Sequence, residues 1–269
     1  TNTFDYLHLN DTDADGDTLA MTPTNGAEFI PVPGFSGTTN FTYVVTDGTL
    51  QSTGTAIVAV NTPINAEAAR DQILAGVTHI ASGVSPGKLV VFGPTAYAVN
   101  WFDGEGEYDP MVGVASWGSG KVIAQPDHQM LNVDNYGGQG DTAQFVFNGL
   151  AWLSGTTNRN ISIITYDSDH RDWFETQGYS NVVVASESSL TNDLPGADVF
   201  FAAWLGSKEP DHNLEAIGDF VTAGGGLFMC DYGNGYEDYW WNHTLRYHAP
   251  GNRLLREAGI GFCNGGHGG

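Results

Sequence analysis

Short runs of almost unbroken apolar residues, set between segments with helical periodicity, constrain this chain more than any other feature. Ile161-Ser162-Ile163-Ile164 and Val199-Phe200-Phe201-Ala202 are too continuous for a strand with one face in water. They suit strands of a parallel sheet covered on both sides. Strands alternate with helices through most of the chain, so the expected fold is a layered α/β domain. The expected strands are Lys88–Phe92, Met111–Trp117, Val122–Gln125, Ile161–Tyr166, Asn181–Ala185, Val199–Trp204 and Leu227–Cys230. Helices are expected over Thr142–Leu153, His170–Gln177, Asn213–Ala223 and Asn252–Glu257. A further helix is expected over Ala66–Ala81, where Ala69, Ile73, Leu74, Val77, Ile80 and Ala81 share one face behind Asn65 as N-cap.

Upstream of Thr62-Pro63-Ile64-Asn65 the pattern changes. Phe41, Tyr43 and Val45 alternate with Thr42, Val44 and Thr46, a period of two, and Ala56–Val60 reads as a closing strand. The chain is therefore read as a β-module over 1–62 followed by an α/β domain over 63–269. The β-module contains Asn10-Asp11-Thr12-Asp13-Ala14-Asp15-Gly16-Asp17. Carboxylates on alternate residues repel one another unless a cation sits among them, and hard oxygen ligands at that density suit calcium. Asp11, Asp13, Asp15 and Asp17, with Asp47, are the expected metal ligands. An EF-hand is excluded, because Thr22 stands where its loop requires a bidentate Glu. Calcium is plentiful outside cells, so the expected setting is extracellular or cell-surface.

The formal net charge is −22, and residues 1–62 hold seven acidic residues with no Lys or Arg. Nothing here neutralises phosphates, which excludes nucleic acid and an anionic membrane surface as partners. No stretch is long and apolar enough to span a bilayer. Two cysteines, Cys230 and Cys263, permit one disulfide.

Asn10–Asp17, Gly34-Phe35-Ser36-Gly37 and Phe41–Gly48 resemble the cadherin-like, immunoglobulin-fold repeats of large bacterial surface and secreted proteins, over about residues 5–61. The resemblance implies a small β-sandwich. Residue 1 falls where such a repeat is already one strand into its fold, so the sandwich is expected to be incomplete. Preceding residues or a partner's strand would complete it, the latter giving a homo-oligomer by strand exchange. Further on come Gly118–Ala124 with Asp127-His128 and Leu131, then Asn148–Leu153, then Asp219–Cys230 with its Gly224-Gly225-Gly226. In that order they resemble the class I glutamine-amidotransferase-like (flavodoxin-like) α/β domain with a β-rich leading segment, over about 66–263. Gly93–Val99 and Pro250–Leu255 are similar to segments flanking this domain in secreted proteins of the enhancin-type metallopeptidase group and in channel-associated relatives. There the module precedes the peptidase. The His-Glu-x-x-His signature is absent from this chain, so any peptidase of the same protein lies beyond residue 269.

The amidotransferase resemblance implies a nucleophile at Cys230, at a strand-to-helix elbow that needs small neighbours. Phe228 and Tyr232 stand where glycines are required, and no His-x-Glu follows: His243, His248 and His267 have no acid two residues on. A structural thiol or a Cys230–Cys263 disulfide is expected instead, and a bridge would remove the thiolate. Tyr232, Tyr236, Glu237, Trp240, Trp241 and His243 form a candidate glycan or peptide platform, with rings for sugar faces and acids for hydroxyls. Asp127-His128, Asp167-Ser168-Asp169-His170 and Asp211-His212 read as loops and caps, and Trp101–Glu107 as an exposed loop carrying carboxylates. The expected function is that of a non-catalytic extracellular module serving adhesion, assembly or glycan binding beside neighbouring domains of one precursor. The alternatives are a hydrolase or amidotransferase using Cys230, an accessory domain of a glycoprotein-directed metallopeptidase, or the subunit of a self-assembling surface polymer.

Overall fold

In the computed structural model the chain divides into two compact units, Thr1–Val60 and Asn61–Gly269. The structure describes residues 2–3, 7, 11–23, 28–30, 32, 35, 37–61, 64–80, 87–104, 107–126, 131–133, 140–203, 205, 209–231 and 249–263. The unit boundary falls two residues ahead of the expected one. Asn61 belongs to the second unit because its side chain accepts from Gly118 N (2.7 Å) and donates to Thr95 Oγ1 (3.3 Å).

The first unit is built from short antiparallel pairings. Strand β1 (Asn2–Thr3) pairs with β3 (Glu28–Phe29), and β2 (Ala20–Pro23), β4 (Gly37–Thr46) and β5 (Gln51–Val60) form a sheet in the order β2-β4-β5. Alternation along β4 sends Tyr43 and Val45 inward, where they meet Ala56, Leu19, Met21 and Phe41. Tyr43 lies directly opposite Gly54, and its ring occupies the space a side chain at that position would fill. That passage carries its hydroxyl to Asp11, at 3.2 Å from Oδ2.

The second unit is organised around a seven-stranded sheet. Its strands are β7 (Ala96–Gly104), β8 (Glu107–Trp117), β9 (Gly120–Gln125), β10 (Ile163–Thr165), β11 (Val182–Val184), β12 (Val199–Ala202) and β13 (Gly226–Cys230), in the order β11-β10-β12-β13-β9-β8-β7. The first five of that order are mutually parallel, and β8 and β7 continue the sheet antiparallel. Period-two alternation then assigns each central residue to one of two cores. Leu227 and Met229 face one side with Phe200, Val122 and Ala124; Phe228 and Cys230 face the other with Phe201 and Ile123. Helices α1 (Ala66–Ile73), α2 (Thr142–Ser154) and α3 (Ser168–Thr176) cover the Phe228 side. Helices α4 (Leu190–Asp193), α5 (Asp211–Thr222) and α6 (Pro250–Leu255) cover the other. They are joined there by an antiparallel ribbon of β6 (Lys88–Val91) and β14 (Ile260–Cys263), whose Leu89 and Ile260 lie over Gly113. Fully buried phenylalanines such as Phe145, Phe174, Phe200, Phe201 and Phe228 each stabilise the unit by about 1.5–3 kcal/mol relative to exposure.

Several expectations are corrected. The described residues of the segment expected as a loop are strand: Trp101–Gly104 of β7 pair with Glu107–Pro110 of β8. Helix α1 stops at Ile73, short of Ala81, because Asn148 of α2 donates to the Ile73 and Ala75 carbonyls (3.0 and 2.9 Å) and replaces continuing helical bonds. Val77 and Ile80 still pack into the same core from the loop beyond. The Cys230–Cys263 disulfide is not formed: both side chains are thiols. Cys230 faces the α1–α3 side, whereas β14 packs on the opposite side of the sheet, so parity on β13 directs the two apart.

Gly149 lets α2 lie close against the sheet. A Cβ there would lie 2.5 Å from the Phe228 ring and 3.1 Å from Ile123 Cδ1. Gly149→Ala gains about 1 kcal/mol of helix propensity, but overpacking costs about 1–3 kcal/mol. Urea unfolding of the variant is expected at a lower midpoint with unchanged slope; a raised midpoint would show the α2–β13 contact to be loose.

Candidate functional site

Open α/β sheets place ligands beyond the carboxyl ends of their strands, where neighbouring strands send the chain in opposite directions. That point lies between β10 and β12. From β10 the chain passes over α3 to β11, and from β12 it passes over α5, on the opposite face, to β13. Tyr166 follows β10 directly, Glu187 follows β11, and Glu209 lies between β12 and α5. These three carboxyl-end loops converge. The Tyr166 hydroxyl donates to Glu209 Oε1 (2.8 Å), and Asn213, in the first turn of α5, donates from Nδ2 to the same oxygen (2.7 Å) and to the Glu187 carbonyl (2.9 Å). Glu209 is 4 % exposed and Asn213 is fully buried. Among the described residues Asn213 Oδ1 has no hydrogen-bond partner. Burial pushes the Glu209 carboxyl above its ordinary range, more than the bonds from Asn213 and Tyr166 lower it; the Glu187 charge adds to the rise and His212 opposes it. Burial likewise raises the Tyr166 hydroxyl, followed by its hydrogen bond to Glu209 and by the Glu209 and Glu187 charges. The cluster has no local motif. The signal for it was positional: a Tyr closing one predicted strand and a Glu a few residues past another in one parallel sheet.

At the neighbouring carboxyl ends, Cys230 closes β13 directly opposite Gln125 of β9. Both are fully buried. Neither amide atom of Gln125 has a partner among the described residues. Asp231, also buried, accepts from Gly251 N (3.1 Å) and so caps α6.

The expected calcium ligands are brought only partly together. Asp11, Asp13 and Asp47 line one concavity of about 580 Å³, with Leu19 and Val45 in its wall, while Asp15 and Asp17 are exposed. Their carboxylates serve turns. Asp13 Oδ1 accepts from Asp15 N and Asp17 N (2.9 and 3.1 Å), and Asp47 Oδ1 accepts from Thr49 N and Leu50 N (both 2.6 Å). The Leu50 and then the Thr49 bond hold the Asp47 carboxyl below its ordinary range. Among the described residues no three His, Cys, Asp or Glu side chains converge as a metal-ligand set.

The aromatic platform, Tyr232, Tyr236, Glu237, Trp240, Trp241 and His243, lies outside the described residues, as do Asp127, His128 and Glu105. His170 is buried, with Nε2 donating to the Leu131 carbonyl (2.6 Å) and Nδ1 lying 3.2 Å from Asp167 Oδ2. Asp167 also caps α3 through Asp169 N. Asp211 pairs with Arg253 across α5 and α6, and Asp109 pairs with Lys88 (2.8 Å). These acids have structural assignments.

Residues 43–267 match the family model described as "TRPM8, N-terminal domain". The chain belongs to that family. Residues 1–61 match the model described as a bacterial Ig domain, so the leading β-module is immunoglobulin-like. A TRPM8 channel-associated factor homolog of Xenopus laevis is 24 % identical over 194 residues, spanning 70 % of this chain and 19 % of that protein. Two solved structures share the fold, each with a TM-score of 0.53 over 76 % of this chain and 23 % of theirs. One is the IMPa metallopeptidase in complex with T-antigen, at 12 % identity. The other is IMPa from Pseudomonas aeruginosa in complex with an O-glycopeptide, at 11 % identity. The chain therefore spans about a fifth to a quarter of the length of these relatives. Among the described residues no helix is long and apolar enough to cross a membrane.

Glu209 makes a pH prediction. A carboxyl raised above 4.5 in the folded state holds its proton longer than in the unfolded chain. Its contribution to stability is complete below that value and is lost as pH rises through the folded pKa. Glu209→Gln removes this loss, so the melting temperature of the variant relative to the native chain should climb as pH rises above the ordinary carboxylate range. A pH-independent difference would contradict the raised pKa.

Proposed function

We propose that this chain is a non-catalytic module of a larger extracellular or cell-surface protein, serving adhesion, assembly or presentation of a glycoprotein. The burial of Cys230 carries the proposal. On an amidotransferase-like scaffold, which the parallel sheet and its strand-end thiol favour, that residue would be the nucleophile. Here it is fully buried against Gln125, and a thiol without solvent access cannot meet a substrate carbonyl. The immunoglobulin-like leader supports a surface setting. The IMPa structures, bound to T-antigen and to an O-glycopeptide, support a glycoprotein as the partner of the parent protein. Strand exchange remains part of the proposal: β5 is the edge of its described sheet, with Ile57 76 % exposed on it.

Iodoacetamide labelling read by peptide mass spectrometry tests the carrying observation. Half-buried Cys263 should be alkylated in the native protein, and Cys230 only after unfolding. Fast native labelling of Cys230 at neutral pH would favour the hydrolase or amidotransferase alternative.

Calcium belongs to the same proposal. Asp11, Asp13 and Asp47 already border one concavity, and a cation there would offset their repulsion. Added calcium should raise the melting temperature of the β-module and a chelator should reverse the gain. An identical scan with calcium and with excess chelator would remove calcium from the account.

A further inference from the structure

The carboxyl ends of β9 and β13 set two mutually reactive groups side by side. Gln125 and Cys230 are register partners on these adjacent parallel strands. The Asp231 N–H donates to the Gln125 carbonyl (3.3 Å), and the Gly87 N–H donates to the Pro126 carbonyl (3.1 Å), so the backbone is held at this step. Period-two alternation puts Gln125 on the face of Ile123, and Cys230 shares that face with Phe228. Neighbouring strands stand about 4.8 Å apart, so the thiol and the side-chain amide emerge next to each other. A Cys–Gln link is one bond longer than a disulfide, which itself joins Cα atoms about 4.4–6.8 Å apart. It therefore closes here without moving the strands. Both residues are fully buried, and neither amide atom of Gln125 has a hydrogen-bond partner among the described residues. An amide buried in that way is destabilising. No disulfide occupies the thiol.

A thiol sealed from solvent reacts with what is sealed beside it. We propose that Cys230 and Gln125 form an internal thioester, with the thiol and amide of the structure as its reactants. The sulfur adds to Gln125 Cδ, the Cδ–Nε2 bond breaks, and the nitrogen leaves as ammonia with the thiol proton. One S–C bond replaces one C–N bond. Nothing is oxidised or reduced, and no co-reactant enters. Fixed proximity makes the exchange intramolecular. The reaction removes the two amide N–H donors from the interior, and the released ammonia is lost by dilution. Burial then keeps water from the new bond, so the acyl group of Gln125 stays latent. A primary amine that reached it would take the acyl group and free the thiol. The bond stands apart from the surface-module reading, which needs Cys230 to be buried but not acylated.

Intact-mass spectrometry of the full chain, denatured in acid without alkylation, tests the assignment. The mass should fall short of that of the sequence by one ammonia, and peptide mapping at acid pH should join the Gln125 peptide to the Cys230 peptide. Unfolding in methylamine should leave a methylamide on residue 125 and a free thiol at 230. Unfolding at neutral pH without amine should hydrolyse the bond, so that a labelled Cys230 is accompanied by a carboxyl in place of the Gln125 amide. Cys230→Ala and Gln125→Ala should each show the full mass. The unsubstituted chain decides the matter even where a variant does not fold: a full mass, with Gln125 recovered as its amide, would overturn the proposal. So would an ammonia loss that maps elsewhere, such as to an asparagine succinimide, or that persists in Cys230→Ala. A full-mass chain whose Cys230 still resists native alkylation rejects the thioester and leaves the surface-module reading in place.

Discussion

Two-sided burial of the central strands is the constraint on which the larger unit depends. Each residue of β13 from Gly226 to Cys230 is buried, and the alternation of Leu227 and Met229 with Phe228 and Cys230 supplies both cores from one strand. Neither face can be left wet without exposing several aromatic side chains. The helices are therefore recruited in two groups, and the ribbon of β6 and β14 completes the cover on one side. Contacts at the closest approaches need small residues. Gly120 lies against the Val221 and Gly225 carbonyls, and Gly149 against Phe228. Lys121 adds a polar tie. Its ammonium donates to the Trp152 carbonyl at the end of α2 (2.7 Å) and stands 5.1 Å from the Trp152 ring.

The same parity that builds the cores decides what the carboxyl edge can do. Cys230 ends a strand at an inward position, which buries it with Phe228 and directs it away from Cys263. The polar chemistry is displaced two strands along, to the reversal between β10 and β12. There Tyr166 and Asn213 both donate to one oxygen of the buried Glu209.

Much of the α/β architecture was legible in the sequence. Val199–Ala202 and Ile161–Ile164 have no polar alternation, and only a strand buried on both sides tolerates that. What escaped has physical reasons. Gly104 and Gly106 among acids imitate a loop, and only the cross-strand pairing of β7 with β8 reveals a hairpin there. Ile260-Gly261-Phe262-Cys263 is too short and Gly-interrupted to signal a strand until β6 is seen beside it. The Tyr166–Glu209 bond joins residues 43 positions apart, which no local spacing encodes. The aspartate ladder carries two chemistries at once. The residue types that chelate calcium also bond their own backbone in turns, and Asp13 and Asp47 do the latter.

Both cores, and the burial of Cys230, require the central sheet to be inaccessible in the native state. Native-state hydrogen exchange read by mass spectrometry measures this strand by strand. Amides of Leu227–Cys230 and Val199–Ala202 should exchange only through global unfolding of the second unit, more slowly than those of the edge strands β7 and β11. Exchange of Leu227–Cys230 through a local opening, ahead of those edges, would contradict the account, because it would place Cys230 within reach of solvent in the folded protein.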